Sequence, residues 1–266
     1  AFLRDQQAEY LQPAERVNSP PAARSVLVQL DATRLQASGK LSKIQRWSSV
    51  RPSTATGKTT GRVITFTGIT PSLPLLVSEA TTLGQPAVRF GPGRTVLQAI
   101  DDQLNFGTGD FSVSVVFRLD PSAGDDNHIL GKDSYSGTGT YSGYFLQYVH
   151  GRLKFCTRRV TPGGGQAAEL LTEQVIQKGQ WYRVTGTRRS GEISLFVDGA
   201  TSAELSRREP EPIDVNNKAG FKIGEMDEDA GSPFNGSIAE LLVFNRALTT
   251  EEVRSCHEYL RQKYIA

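Results

Sequence analysis

The sequence predicts an all-β protein: a two-sheet antiparallel sandwich with one short C-terminal helix. Three observations predict it. Apolar and polar residues alternate with period two along several stretches, most clearly Phe111 to Leu119. Strand-like segments recur at roughly ten-residue spacing and are joined by Gly-rich turns. A helical period occurs with clear start signals in one place only, the C-terminus, and strand does not alternate with helix as in a parallel α/β sheet.

The 266 residues suffice for one large β domain or two small ones, and 38% apolar with 22% charged residues is ordinary for a globular chain. The net charge of +2 and the scattered Lys and Arg residues argue against nucleic-acid binding. No run approaches the roughly 18 consecutive apolar residues of a membrane span. No apolar leader opens the chain at Ala1, so an export signal is expected to have been removed or to lie outside this sequence.

Residues 1–24 differ in composition from the rest. Phe2 to Leu11 has short-helix character and Pro13, Pro20 and Pro21 then break it, so the segment is expected to be a linker or the tail of a preceding segment. The domain is expected to span 25–266. Ser25 to Ala32 is a strand by its apolar content. Residues 33–62 are polar and suggest long surface loops around one aromatic anchor, Trp47. Pro71 and Pro74 punctuate the next segment, and Gln85 to Phe90 is a short strand after a Gly84 turn. Alternation over Phe111 to Leu119 predicts a strand with one buried face. Tyr144 to Val149, a His150-Gly151 turn and Arg152 to Arg158 form a hairpin. Trp181 to Thr187, Ser190-Gly191 and Glu192 to Val197 form another. Asp198-Gly199 then turns the chain into a strand over Ala200 to Leu205, and Phe221 to Gly224 is a short strand.

The C-terminal run opens with an Asn235-Gly236 turn and continues as a strand from Ser237 to Phe244. Thr249 at the N-cap with Glu252 three residues on is a capping box. Val253, Cys256, Leu260 and Tyr264 then form one apolar stripe. Cys156 falls on the strand face opposite Leu153 and Phe155, so Cys156 and Cys256 are either one disulfide or two thiols.

The order of segments resembles a known family. LVQLDA with Trp47 following, GQPAVRF at 84–90, FSVSVVFRL at 111–119, ILGKDS at 129–134, WYRVTGTRRSGEISLFVDGA at 181–200, FKIG at 221–224 and FNGSIAELLVFNRALTTEEVRSCHEYLRQKY at 234–264 resemble the laminin-G-like jelly-roll modules of the concanavalin A-like lectin/glucanase superfamily. The resemblance implies a concanavalin A-like jelly roll, a secreted or cell-surface location, and calcium held in loops at the sandwich rim. It does not imply one function, because this fold carries lectins, hydrolases and adhesion modules alike.

Lys132 to Tyr144, KDSYSGTGTYSGY, combines aromatic faces with small polar groups, the composition of a sugar-binding loop or of a long surface loop. Tyr135, Tyr141, Tyr144, Lys132 and Asp133 are its candidate ligand-binding residues. Asp227, Glu228 and Asp229 are the candidate calcium ligands, with Asp125 and Asp126 as a second group. Glu225, Asp227 and Asp229 would share one face of a strand, as a glycoside hydrolase requires. In the family pattern, however, the stretch is a loop, and no catalytic set is assigned. The leading reading is a non-enzymatic extracellular module that binds carbohydrate or glycoprotein, beside other domains of a longer chain. The alternatives are a polysaccharide hydrolase or lyase using the 225–229 carboxylates, and an adhesion domain that contacts proteins.

Overall fold

The structure, a computed structural model, describes residues 20, 22–36, 41–50, 62–135, 138–198, 205–226 and 232–266. Its strands begin with β1 (Val26–Asp31), β2 (Leu41–Lys43), β3 (Arg46–Ser48), β4 (Thr65–Gly68), β5 (Leu75–Val77), β6 (Ala87–Phe90) and β7 (Leu97–Ala99). The long central strands follow: β8 (Phe111–Leu119), β9 (Asp126–Tyr135), β10 (Tyr141–Val149), β11 (Arg152–Thr161) and β12 (Gly164–Leu171). The chain ends with β13 (Trp181–Arg189), β14 (Glu192–Val197), β15 (Leu205–Arg208), β16 (Phe221–Ile223), β17 (Gly236–Phe244) and the helix α1 (Thr250–Tyr264).

Two antiparallel sheets pack face to face as a jelly-roll sandwich. One runs β15-β14-β13-β8-β17-β6-β5-β2, with β1 also paired to β17. The other runs β12-β11-β10-β9-β16-β7-β4-β3. The core between them takes one face of each long strand, including Val113, Val115 and Phe117 from β8 and Tyr144, Leu146 and Tyr148 from β10. Trp47 on β3 is buried in that core, the anchor that the polar 33–62 segment suggested.

The expectation that β8 has one buried face is corrected. Its other face is covered too, because α1 lies across the outside of this sheet. Val116 of β8, Ala239, Leu242 and Phe244 of β17, and Trp181 of β13 form a second apolar cluster with Val253, Cys256, Tyr259, Leu260 and Tyr264 of α1. The capping box forms as the sequence requires: Glu252 N–H donates to Thr249 Oγ1 at 3.2 Å, and Thr249 N–H to Glu252 Oε2 at 2.9 Å.

A β-bulge in β17 makes this helix contact possible. The register against β8 slips between Ile238 and Glu240. Such a bulge sets two successive residues on one face, so Ile238 and Leu241 point into the core while Ala239 and Glu240 point toward α1. Glu240 thereby meets Asp31 of β1 and the end of the helix. Lys263 Nζ lies 2.7 Å from both Asp31 Oδ2 and Glu240 Oε2. Tyr264 donates to both carboxylates, and Tyr259 and Gln29 donate to Glu240. Burial alone would raise the Asp31 pKa, yet the Lys263 charge and hydrogen bonds hold it below its usual value. For Glu240 burial prevails and the pKa is raised.

The Asn235-Gly236 pair is not a turn. Gly236 is the first residue of β17, and a Cβ there would stand 2.3 Å from the Arg118 carbonyl oxygen. Asn235 is buried and donates to Ser122 Oγ. The His150-Gly151 and Ser190-Gly191 turns adopt the paired positive φ angles of tight hairpins. After Asp198 the described strand is Leu205–Arg208, and the expected strand residues 200–204 lie outside the described residues, as does 2–11. Cys156 and Cys256 are free thiols on opposite sides of the sandwich.

Replacing Lys263 by Met would strand two buried carboxylates. We expect a loss of about 3 kcal/mol in urea unfolding, the usual result of removing one partner from a buried ion pair; an unchanged midpoint would refute this role. A second expectation concerns acid. His257 of α1 is fully buried against Thr185 (Nε2 to Oγ1, 2.8 Å), and burial pushes its pKa down to about 3 from 6.5. Between those values the unfolded chain holds a proton that the native chain lacks. This group therefore costs stability as pH falls below 6.5, by about 2 kcal/mol at pH 5. Glu240, with its raised pKa, acts in the opposite direction nearer pH 4.5. The check is therefore comparative: unfolding of His257→Gln should depend less on pH between 7 and 5 than that of the parent.

Candidate functional site

The 132–144 stretch is not a surface loop. Lys132 to Tyr135 complete β9 and Tyr141 to Tyr144 open β10, so the connection is confined to 136–140, of which 136–137 lie outside the described residues. Pairing of the two strands puts Tyr141 opposite Tyr135, Gly143 opposite Asp133 and Tyr144 opposite Lys132. Alternation then divides the five candidate residues between two faces.

Tyr144 and Lys132 turn inward. Tyr144 is wholly buried, packs on Phe106 and Phe111, and donates its hydroxyl to the Leu104 carbonyl at 3.0 Å. It is a core residue and not a ligand contact. Lys132 is 3% exposed, and its ammonium donates to the backbone oxygens of Asn217 and Ala219 and to Asn217 Oδ1. Asn217 returns two hydrogen bonds, to the Lys132 and Ser142 carbonyls. Lys132 therefore fastens the 216–219 segment to the hairpin, and burial lowers its pKa.

Asp133, Tyr135 and Tyr141 turn outward, onto the face of the sheet that is remote from the core. There they meet Arg158 of β11. Gly143 pairs with both Asp133 and Arg158, one on each neighbouring strand. With no side chain at Gly143, the Arg158 guanidinium lies across β10 and reaches Asp133, Nε to Oδ1 at 3.0 Å and Nη2 to Oδ2 at 2.5 Å. This is the planar two-point pairing that favours Arg over Lys. Tyr141 and Phe145 stand on either side of Gly143 along β10. The guanidinium carbon lies 4.4 Å from the Tyr141 ring centre and 5.1 Å from that of Phe145.

The arrangement extends at both ends. Tyr135 stacks on Tyr141 with ring centres 4.7 Å apart and planes 23° from parallel. His128 stands 5.8 Å from Phe145. Burial pushes the His128 pKa down to about 4, so the ring is neutral at pH 7. The result is a row of planar groups across the outer face: Tyr135, Tyr141, Arg158, Phe145, His128. At that end the backbone continues into another segment: His128 N–H donates to the Ser232 carbonyl, beside a bridge to Pro233. Met226 Sδ lies 4.0 Å from Arg158 Nη2.

The expected metal and catalytic groups fare differently. Asp227, Glu228 and Asp229 lie outside the described residues. Among the described residues no group of three or more His, Cys, Asp or Glu comes together to hold a metal ion. Asp125 pairs with Lys178 at 3.0 Å and Asp126 accepts from Gln147. Glu225 is 3% exposed and bound to Arg94 Nε at 2.7 Å.

Arg158, Phe145 and His128 were not among the expected site residues. Arg158 and Phe145 could have been found by counting back from the His150-Gly151 turn. A two-residue turn sets Val149 opposite Arg152 and hence Gly143 opposite Arg158.

A laminin G-like family model, described as the concanavalin A-like lectin/glucanases superfamily, matches residues 93–254. Among solved structures, the binding domain of Paraclostridial Mosquitocidal Protein 1 superposes with a TM-score of 0.60 at 12% identity, covering 88% of this chain and 52% of that one. The binding domain of botulinum neurotoxin serotype D gives 0.57 at 12% identity, over 89% and 52%. A mutant Trypanosoma rangeli sialidase displaying trans-sialidase activity gives 0.54 at 14% identity, over 92% and 34%. The chain spans about half the length of the two toxin domains and about a third of the sialidase. At such identities the likeness shows the fold.

Gly143 tests the geometry of the row. Its φ is +144°, and a Cβ there would fall 2.0 Å from the Lys132 carbonyl oxygen, which is backbone and has no means of yielding. Gly143→Ala is expected to destabilise the fold by about 2–4 kcal/mol. A variant as stable as the parent would show that the strand backbone does not hold this conformation.

Proposed function

The chain belongs to the laminin G-like family of the concanavalin A-like lectin/glucanases superfamily, and from that premise we propose that it is an extracellular, non-enzymatic module that binds carbohydrate or glycoconjugate. The observation that carries this reading is the planar row on the outer face of β9 to β11, which ends on the partly exposed ring of Tyr135. Aromatic faces held rigidly beside an ion pair suit the apolar face and polar groups of a sugar ring. The binding site is accordingly the end of the β9–β10 hairpin, with Tyr135 and Tyr141 as its aromatic residues and Asp133 and Arg158 beneath them.

A glycosidase needs two carboxyl groups facing one bond; of the 225–229 carboxylates that such a reading would use, the described one, Glu225, has Oε2 bound to Arg94. Calcium at Asp227, Glu228 and Asp229 stays part of the proposal, with oxygen ligands of the type that ion prefers, and binding repeated in EDTA is its test.

A glycan array probed with the parent and with Tyr135→Ala tests the function. The parent should retain a defined set of glycans, and Tyr135→Ala should lose at least about tenfold in affinity, on the order of 1.4 kcal/mol, with its unfolding midpoint unchanged. Tyr144→Phe, altered only in the core, should bind as the parent does. A blank array for the parent would sink the carbohydrate reading in favour of protein contact.

A further inference from the structure

Arg118 differs from the other cations of this chain. Arg24, Lys43, Arg46, Arg152 and Lys218 also make no hydrogen bond or ion pair among the described residues, but all five are exposed and stand in solvent. Arg118 is half-buried, and its guanidinium carbon lies over the Trp181 ring, 5.3 Å from the ring centre. The ring attracts the charge. It leaves the N–H donors without an oxygen acceptor, and a partly dehydrated cation in that condition costs free energy until an acceptor meets it.

Strand register shows what surrounds it. Arg89 of β6 pairs with Ser237 of β17, Ser237 with Arg118 of β8, and Arg118 with Trp181 of β13. Directly paired side chains share a face. Here it is the outer face, because the next residues, Val88, Ile238, Phe117 and Tyr182, point into the core. The four form one line across four adjacent described strands, just past Val116, which α1 covers. The two arginine backbones are two strand spacings apart, about 10 Å, with Ser237 between them. Ser237 is 3% exposed, and its hydroxyl makes no hydrogen bond with a described residue. Arg89 gives Nη2 to Asp120 Oδ2 at 3.1 Å and keeps further donors of its five. Asp120 does not serve Arg118: its Oδ1 accepts from the Ser122 N–H and hydroxyl, and its Oδ2 from Arg89. The Ser122 hydrogen bonds, and after them the charges of Arg89 and Arg118, hold its carboxyl below the usual range. One ionised carboxylate therefore stands against two arginines.

We propose that Arg118, Ser237 and Arg89 form a binding site for a tetrahedral oxyanion, the sulfate or phosphate group of a ligand, on the sheet opposite the Tyr135 row. Arg118 donates from one side, Arg89 from the other and the Ser237 hydroxyl from beneath. Donors from three directions suit the outer oxygens of a sulfate or phosphate better than the two coplanar oxygens of a carboxylate. Trp181 is a positioning residue that holds Arg118 over the sheet. The site uses none of the residues of the carbohydrate reading and goes beyond it.

The test is calorimetric titration of the full chain, at fixed ionic strength, with inorganic sulfate, inorganic phosphate, galactose 6-sulfate and glucose 6-phosphate. Acetate is the planar control, and galactose and glucose are the uncharged ones. At least one tetrahedral probe should bind at a single site, at least about tenfold more tightly than acetate or the plain sugars. Arg118→Gln should weaken that binding by at least about tenfold and Ser237→Ala by about threefold, each with the parent's urea midpoint. Arg152→Gln, which removes an exposed arginine from the other sheet, should bind as the parent does. A sugar ester that binds more tightly than the free ion identifies the ester as the ligand, and equal binding identifies the free ion; either result upholds the site. No binding of any tetrahedral probe, or unchanged binding in Arg118→Gln, would overturn the inference. Acetate binding as tightly as sulfate and phosphate would overturn the tetrahedral assignment. Plain sugars binding as tightly as their esters would overturn the inference while supporting the carbohydrate reading.

Discussion

The arrangement depends on one ammonium group. Lys263, from the last turn of α1, stands between Asp31 of the first strand and Glu240 of the last. Two carboxylates this deeply buried repel each other and cost much to dehydrate, so without the lysine neither strand end would tolerate its neighbour. With it, the first strand, the last strand and the helix are tied at a single point, and the tyrosine hydroxyls fill the remaining acceptor sites. The β17 bulge is part of the same device, since it turns Glu240 out of the sandwich and onto the helix. Once α1 is fixed there, it covers the outside of this sheet over β8, β13 and β17.

On the other sheet a glycine does the equivalent work. A Cβ at Gly143 would collide with the Lys132 backbone on the neighbouring strand. Over this glycine an ion pair spans two strand gaps and a flat cation stands between two rings. The pair is shielded, with Asp133 at 2% and Arg158 at 16% side-chain exposure, so it is not discounted as a surface salt bridge would be. The row gains its rigidity from three different attractions: charge pairing, cation–ring contact and ring stacking. The two ring contacts are each worth about 1 kcal/mol, and with the ion pair they hold the row in place.

How much was legible in the sequence follows from which signals are local. The Thr249 and Glu252 capping box, the alternation in β8 and the two hairpins closed by His150-Gly151 and Ser190-Gly191 depend on neighbours within a few residues, and all form. The β9 sequence DNHILGKDSY has no alternation to read, because it takes a bulge at Ile129 and carries inward a lysine whose partners, Asn217 and Ala219, are distant in sequence. Its last part, Lys132 to Tyr135, therefore reads as the start of a loop. Asn235-Gly236 misled for the opposite reason. As a local signal it says turn, but close packing against Arg118 and Phe234 is what demands the glycine. The aromatic character of the site was visible at Tyr135 and Tyr141, whereas its cation was not, since Arg158 comes from another strand and reads alone as a solvated charge.

The same division explains why fold and function separate in this family. The sandwich needs inward-facing apolar residues and well-placed turns, and many sequences meet that demand, as the shared fold at 12% to 14% identity attests. The outer face is under no such demand. Residues there are free to differ without cost to the core, so the fold alone does not specify a row such as Tyr135, Tyr141, Arg158, Phe145 and His128. Its chemistry must therefore be argued from these side chains.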